Sequence, residues 1–408
     1  MKEDFLQIIW QMQCFSLPAL STEGHDLHVI KPGIRNVSDG PDFSNARIQM
    51  DGLEWNGSVE IHLRSAEWKQ HGHHLDPAYE SVILHVVWEE DLPVFRKDGS
   101  RIPALELKNR VSLDLMLKYR ELINTRETIP CWRFLPDMNP LIPESMLDLA
   151  LAGRLERKAA EMQKLFRENG FSRKRGLALM LARCLGMKGN EDAMEQLLRS
   201  LPDALLNARG TSTVKILAWL LGQSGLGFRA EENALEKEHQ LLKAAFRPEP
   251  LNLLWKKSGM RPASFPLKRI RLLAALLPDL DKLAEMLYGN TEPEIESAGG
   301  WTKHPDLKPG TFLHRHLMVN FLAPAFIIRA QENGQPEFSQ LAMDMLHGLK
   351  AEEHRMSRWL RVSGFPMQTA GHSQGGVELH QKWCSRRQCM DCRIGKEILR
   401  DAVLTLAE

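Results

Sequence analysis

The sequence predicts an α+β protein in which a small mixed-sheet domain precedes an irregular all-α domain. Short segments typical of strands, separated by Gly, Pro and Asp, crowd into the first 130 residues. From about residue 143 onward, apolar residues recur at helical spacing. Between the two patterns lies a proline-rich stretch, and proline disfavours helix interiors. We therefore predict domains over residues 1–130 and 144–408, joined by a linker over residues 131–143.

The composition is that of an ordinary globular protein, with 43% hydrophobic and 26% charged residues among 408. No apolar run approaches the roughly 20 residues of a membrane span, and the N-terminus does not resemble a signal peptide. We expect a cytoplasmic protein with reduced cysteines. The charge is uneven: residues 1–130 contain 14 Lys+Arg against 20 Asp+Glu, and the remainder contains 39 against 32. This asymmetry suggests that the two domains have separate roles.

The individual elements follow from local patterns. DFLQIIWQMQCF has helical spacing, and the run SVILHVVW is apolar enough for a strand buried on both faces. The other predicted strands are DLHVI, ARIQM, WNGSVEIHL and PALELKN.

Two carboxylates and a histidine form the first candidate site. Side chains alternate along a strand, so Glu60 and His62 project to one face of VEIHL. A turn at MDGLEWNG would fold ARIQM back and bring Asp42 towards Glu60. Two carboxylates and an imidazole suit Mg²⁺ or Mn²⁺, which polarise phosphoryl oxygens. The alternative is that Asp42 only shapes the DGPD turn and that Glu60 lies on a solvated face.

These residues resemble the core motif of PD-(D/E)xK nucleases. Pro41-Asp42 would supply the "PD", and Glu60-Ile61-His62 would replace the "ExK". The resemblance implies a nuclease-like mixed-sheet fold in which both acids hold the metal, with a further acid on the first helix at Glu3 or Asp4. This chain departs from the family pattern at His62, which stands in place of the lysine. His62 would either activate water or serve as a metal ligand.

A second resemblance extends over nearly the whole chain. The run GPDF…GSVEIHLRSAEWKQHGHHLDPAYESVILHVVW, with the C-terminal CSRRQCMDCRIG, resembles the bacterial "domain of unknown function 2851" family. It implies a shared architecture and brings no established activity.

A histidine-rich stretch follows the second acid. His71 and His73 either chelate a metal or donate a proton to a leaving oxygen, and the alternative is a polar surface loop. For His85, which lies inside the apolar strand, we expect a hydrogen-bonded core residue. The nearby aromatic residues Trp68 and Tyr79 either stack on bases or close a core. The stretch also contains His74 and Asp76.

Three cysteines near the C-terminus have C-x4-C-x2-C spacing, which is typical of iron–sulfur or zinc ligands. Cys131, a remote fourth cysteine in the linker, would complete a 4Fe-4S cluster. In a Zn²⁺ site, His380 is the alternative fourth ligand. The alternative is a set of unrelated reduced thiols. The four cysteines are Cys131, Cys384, Cys389 and Cys392. Cys14 and Cys184 occupy apolar helical settings, so we expect core residues there.

Basic residues of the helical domain are candidates for phosphate contacts, although such runs are more often solvated helix faces. The preferred set is Arg261, Lys268, Arg269 and Arg271. No P-loop or dinucleotide fingerprint occurs, so no nucleotide cofactor is expected.

Together these patterns predict a metal-dependent nuclease-like protein that hydrolyses nucleic-acid phosphodiesters. The alternatives are an inactive nucleic-acid-binding or scaffold protein on the same fold, and a hydrolase of small phosphoesters.

Overall fold

The computed structural model describes residues 2–16, 21–22, 25–36, 38–167, 172–207, 212–260, 264–289, 307 and 311–404. Contacts divide the chain into two compact units. The first unit comprises Met1–Met146, Trp359–Pro366 and Leu379–Glu408, and the second comprises Leu147–Arg358 and Met367–Glu378. A mixed sheet lies near the N-terminus and the later region is mainly helical, as the α+β prediction requires. No helix in the described part of the chain has the length and apolar character to cross a membrane.

The first unit is built on a seven-stranded sheet with the order β1-β2-β4-β5-β6-β9, in which β3 pairs with β4. Four pairs are antiparallel: β1 with β2, β2 with β4, β3 with β4, and β4 with β5. Two pairs are parallel: β5 with β6, and β6 with β9. A separate two-stranded sheet contains β7 and β8. The strands are β1 (Ser21–Thr22), β2 (His25–Lys31), β3 (Ile34–Arg35), β4 (Phe43–Met50), β5 (Leu53–Arg64), β6 (Val82–Glu89), β7 (Val94–Phe95), β8 (Arg101–Ile102) and β9 (Ala104–Glu106).

The predicted hairpin joins β4 to β5. Its two-residue turn is Asp51-Gly52, and both residues have positive φ, 50° and 82°. That geometry matches the twist of antiparallel strands and explains the Asp-Gly pair. The turn fixes the register that brings the start of β4 beside the second half of β5, with Phe43 opposite Val59.

The second half of β5 lies inside the protein. Residues 58–62 are all buried, and so are the first six residues of β6, as its apolar run predicts. Glu60 is only 6% exposed and His62 only 1% exposed. The alternative that Glu60 lies on a solvated face is therefore wrong, because both faces of the sheet are covered at this point.

Four of the described α-helices lie wholly within the first unit, and α1 supplies a buried apolar face that includes Phe5 and Trp10. Residues 127–140, around the predicted linker, form turns. The C-terminal cysteine segment belongs to this unit rather than to the helical domain of residues 144–408, because its hydrogen bonds reach residues 122–127. The four helices are α1 (Glu3–Met12), α2 (Glu67–Gln70), α3 (Leu113–Asn124) and one near the C-terminus, Arg393–Leu404.

The second unit starts within α4 (Leu141–Arg167) and is helical. Its core is a continuous cluster of aliphatic and aromatic side chains that includes Trp219 and Phe326. The other helices are α5 (Arg173–Gly186), α6 (Glu191–Arg199), α7 (Asp203–Asn207), α8 (Thr213–Gln223), α9 (Asn233–Phe246), α10 (Pro266–Leu276), α11 (Leu280–Tyr288), α12 (Phe312–Leu317), α13 (Ala323–Asn333) and α14 (Pro336–His347), followed by α15 (Arg355–Val362), α16 (Ala370–Leu379) and, in the first unit, α17 (Arg393–Leu404).

Candidate metal centre

The candidate site lies where the antiparallel and parallel halves of the sheet meet. Strand β5 contributes Glu60 and His62, which share a face because side chains alternate along a strand. Asp42 lies immediately before β4, and the parallel register places Glu60 opposite His85 of β6. The crossover between β5 and β6 supplies the remaining histidines, and α1 supplies an acid at its N-terminus.

Asp42 and Glu60 converge, as the sequence predicts. The backbone N–H of Asp42 donates to Oε2 of Glu60 at 3.0 Å. The Asp42 carboxylate accepts the N–H of Ile61 at 3.1 Å and the amide of Gln7 at 2.8 Å. These partners are distant in sequence, so Asp42 does more than shape its own turn.

Two imidazoles lie near the Glu60 carboxylate, and a third imidazole lies beside one of them. Nε2 of His62 lies 3.2 Å from Nδ1 of His71 and 3.6 Å from Oε1 of Glu60. Nε2 of His73 lies 3.4 Å from the same carboxylate oxygen. His62, His71 and His73 each offer a ring nitrogen within 4.8 Å of the other two, and no other described trio of His, Cys or acidic side chains converges this closely.

His85 supports this group from β6. Its Nε2 lies 2.8 Å from Nδ1 of His62, and the residue is fully buried. A partner on the second ring nitrogen fixes the tautomer and the orientation of a ligating histidine. The expectation of a hydrogen-bonded core histidine is confirmed, with the addition that its partner is a site residue.

Burial shifts the titration of four residues of the site. Burial and the neighbouring Asp42 raise the pKa of Glu60 to about 8, and burial raises the pKa of Asp42 to about 6. Burial and the adjacent imidazoles lower the pKa of His62 to about 2 and that of His73 to about 4. His62 and His73 are therefore neutral near pH 7, which is the form that binds metals.

The donor set fits a transition metal. Nε2 of His73 is buried and makes no hydrogen bond, although buried polar atoms normally have a partner. Three imidazoles and one carboxylate suit Mn²⁺, Fe²⁺ or Zn²⁺, whereas Mg²⁺ prefers oxygen ligands. Of the two ions expected from the sequence, Mn²⁺ fits this site better because most of the ligands are nitrogens.

Glu3 lies beside the two acids, half-buried at the start of α1. Burial and the charges of Asp42 and Glu67 raise its pKa. Asp4, the other acid considered on this helix, is exposed and lies 3.9 Å from Arg35. The position next to the site therefore belongs to Glu3.

Two residues of the site were missed by sequence reasoning. Gln7 holds Asp42, and its side chain accepts a hydrogen bond from Arg35 at 2.7 Å. Its spacing of four residues from Glu3 places both on one helix face, a signal that could have identified it. Glu67 accepts the N–H groups of Leu63 and Arg64, which fixes the end of β5.

The aromatic residues close the core rather than offering faces to bases. Trp68 is 2% exposed and Tyr79 is 9% exposed, and both pack with Val82, Val94 and Ile102. The Tyr79 ring stacks on His73 with centroids 3.8 Å apart. Nearby, Asp76 accepts the N–H of Ala78, which gives it a local structural role.

Two of the four basic residues chosen as phosphate contacts are buried or ion-paired. Arg269 is buried at 3% exposure, and Arg271 pairs with Glu232, so neither is free to bind a phosphate. Lys268 is exposed. Arg261 lies outside the described residues.

Comparisons with known proteins give a family and no activity. A family described as "Protein of unknown function (DUF2851)" matches residues 3–298. No curated protein matches the chain, and no solved structure matches it. Since the family match spans well over half of the sequence, the chain belongs to the DUF2851 family.

Proposed function

We propose that the protein is a metal-dependent, nuclease-like phosphodiester hydrolase. The observation that carries the proposal is the trio His62, His71 and His73 with the Glu60 carboxylate against two of its members and Asp42 next to Glu60. A buried acid beside imidazoles with strongly shifted pKa values is more typical of a functional site than of a structural core.

The residues divide into two groups by their contacts. His62, His71 and His73 each offer a ring nitrogen to one divalent ion, with the Glu60 carboxylate near two of them, and a bound ion would polarise a phosphoryl oxygen. Asp42 lies beside Glu60 with both carboxylate oxygens oriented by amide donors. With a pKa near 6, Asp42 accepts a proton from water close to neutral pH, as a general base does.

The likeness to PD-(D/E)xK nucleases supports nucleic acid as the substrate. An acid before one strand, an acid and a histidine on the next, and Glu3 on the preceding helix follow that pattern in order. The burial of Arg269 and the ion pair of Arg271 remove part of the expected phosphate-binding surface. A small phosphodiester is therefore the second candidate substrate.

Metal-dependent cleavage tests this proposal. We expect the purified protein with Mn²⁺ to cleave plasmid or single-stranded DNA, and Asp42→Asn and Glu60→Gln to reduce cleavage by at least 100-fold. Glu54→Gln, on the exposed part of the same strand, is the matched control and should retain full activity. A chromogenic phosphodiester in parallel assays distinguishes the two substrate classes.

The outcomes are decisive because the variants keep the shape of the site. If both variants hydrolyse each substrate as fast as the wild type, the catalytic assignment fails. If the folded wild type hydrolyses neither substrate with Mn²⁺, Zn²⁺ or Fe²⁺, the fold acts as a binding scaffold and the hydrolase proposal is wrong.

A further inference from the structure

We propose that Cys131, Cys384, Cys389 and Cys392 bind a 4Fe-4S cluster that joins the C-terminal segment to the remainder of the first unit. This inference is independent of the proposed hydrolase activity. It starts from four cysteines that two distant parts of the chain contribute to the same unit.

Hydrogen bonds hold the C-terminal cysteine loop against the segment that leads to Cys131. Arg387 donates to the carbonyl oxygens of Thr125 and Glu127, at 2.8 Å and 3.0 Å. The Sγ of Cys389 lies 3.8 Å from the carbonyl oxygen of Leu122. The loop is therefore anchored just before Cys131 by contacts that do not themselves need a metal.

All four thiols are buried and affect one another. Each cysteine is 6–7% exposed, and none forms a disulfide. Cys384, Cys389 and Cys392 all lie within electrostatic range of Cys131. Cys14 and Cys184 show the ordinary alternative, since no other cysteine contributes to the pKa of either.

The spacing of the cysteines along the chain favours an iron–sulfur cluster over zinc. The C-x4-C-x2-C arrangement with a remote fourth cysteine is a ligand pattern of iron–sulfur proteins. Four cysteine thiolates are also the usual ligand set of a 4Fe-4S cluster.

The surroundings of the loop suit a negatively charged cluster. The backbone N–H groups of Ile394 and Gly395, in the first turn of α17, donate to the Cys392 sulfur. Lys396 adds a positive charge near this sulfur. Backbone donors and cations at the sulfurs stabilise the thiolate form that a cluster requires.

Gly395 shows how closely the loop and the helix pack. A Cβ at this position would lie 2.0 Å from the carbonyl oxygen of Cys389, so only glycine fits. The close approach fixes Cys389 and Cys392 on the two sides of a single short turn, Cys389–Asp391. The geometry of the loop thus depends on local packing as well as on any bound group.

Spectroscopy and elemental analysis of the full chain test the inference. We expect protein purified without oxygen, or reconstituted with iron and sulfide, to contain about four irons and four sulfides. It should show broad visible absorption that dithionite bleaches. Cys131→Ala and Cys392→Ala should each lose more than half of the iron. Cys14→Ala, which removes a buried thiol of the same unit, should lose none.

Each outcome decides the question. Wild-type protein with neither iron nor sulfide after reconstitution would overturn the proposal, as would one equivalent of zinc in a colourless protein. Full iron content in Cys131→Ala would show that the remote ligand is wrong. If an alanine variant does not fold, removal of iron from the wild type with a chelator should lower its melting temperature, and an unchanged melting temperature would refute the structural role.

Discussion

Glu60→Gln should stabilise the metal-free protein at alkaline pH. Glu60 holds its proton up to about pH 8 in the folded state because it is buried beside Asp42, whereas its ordinary pKa is 4.5. Between these values the folded state binds a proton that the unfolded chain has released. Stability of the wild type therefore falls as pH rises from about 4.5 to about 8, and stays low above that.

The size of the effect follows from the same pKa values. A change from 4.5 to about 8 corresponds to about 3–5 kcal/mol of unfolding free energy above pH 8. The amide oxygen of glutamine can still accept the N–H of Asp42, so the variant removes the charge and keeps the hydrogen bond. For a domain of this size, the difference corresponds to a melting temperature higher by about 10 °C.

Thermal unfolding from pH 4.5 to pH 9 in the presence of a chelator measures this effect. Wild type and variant should have similar stability near pH 4.5 and diverge as pH rises. Glu54→Gln, exposed on the same strand, should follow the wild-type curve. Parallel pH profiles for wild type and Glu60→Gln would refute the reasoning, because they would show that Glu60 does not titrate in a buried, acidic environment.

Three further predictions follow from other contacts. Mn²⁺ at one hundred times its dissociation constant should stabilise the wild type by about 2.7 kcal/mol. His73→Ala should lose most of this stabilisation, whereas His74→Ala should retain it. Equal shifts of the melting temperature with Mn²⁺ in the two variants would exclude the trio as ligands. Glu378→Gln should cost about 2–4 kcal/mol in urea unfolding, because the buried carboxylate pairs with two arginines of α4. Its pKa is lowered, so this contribution is present at neutral pH and lost on acidification, and a variant as stable as the wild type at pH 7 would contradict it. Gly395→Ala should lower the free energy of unfolding by about 1–3 kcal/mol and reduce the iron content. Gly153→Ala, whose added Cβ meets no atom within 4 Å, should leave stability unchanged or raise it. Equal stability of the two variants would refute the packing argument.

Local patterns in the sequence identify most of the elements that form the site. Period-two alternation places Glu60 and His62 on one face, and Asp51-Gly52 predicts the hairpin that brings Asp42 near. The apolar run of β6 predicts its burial. These features depend on backbone stereochemistry over a few residues, so a short segment of sequence is enough to predict them.

Other features depend on contacts between distant segments. The crossover after β5 selects His71 and His73 over His74, and the covered sheet turns Glu60 from an exposed acid into a buried one. Arg269 is a similar case, because its charge predicts an exposed position whereas the packing of its helix buries it.

The sequence by itself determined the strand and helix pattern, the acid and histidine on β5, and the spacing of the C-terminal cysteines. Tertiary structure alone decided which histidines meet, that Gln7 holds Asp42, and that the cysteine segment belongs with the N-terminal sheet. The physical reason is that residue spacing fixes directions within one element, whereas burial and ligand sets depend on which elements pack together.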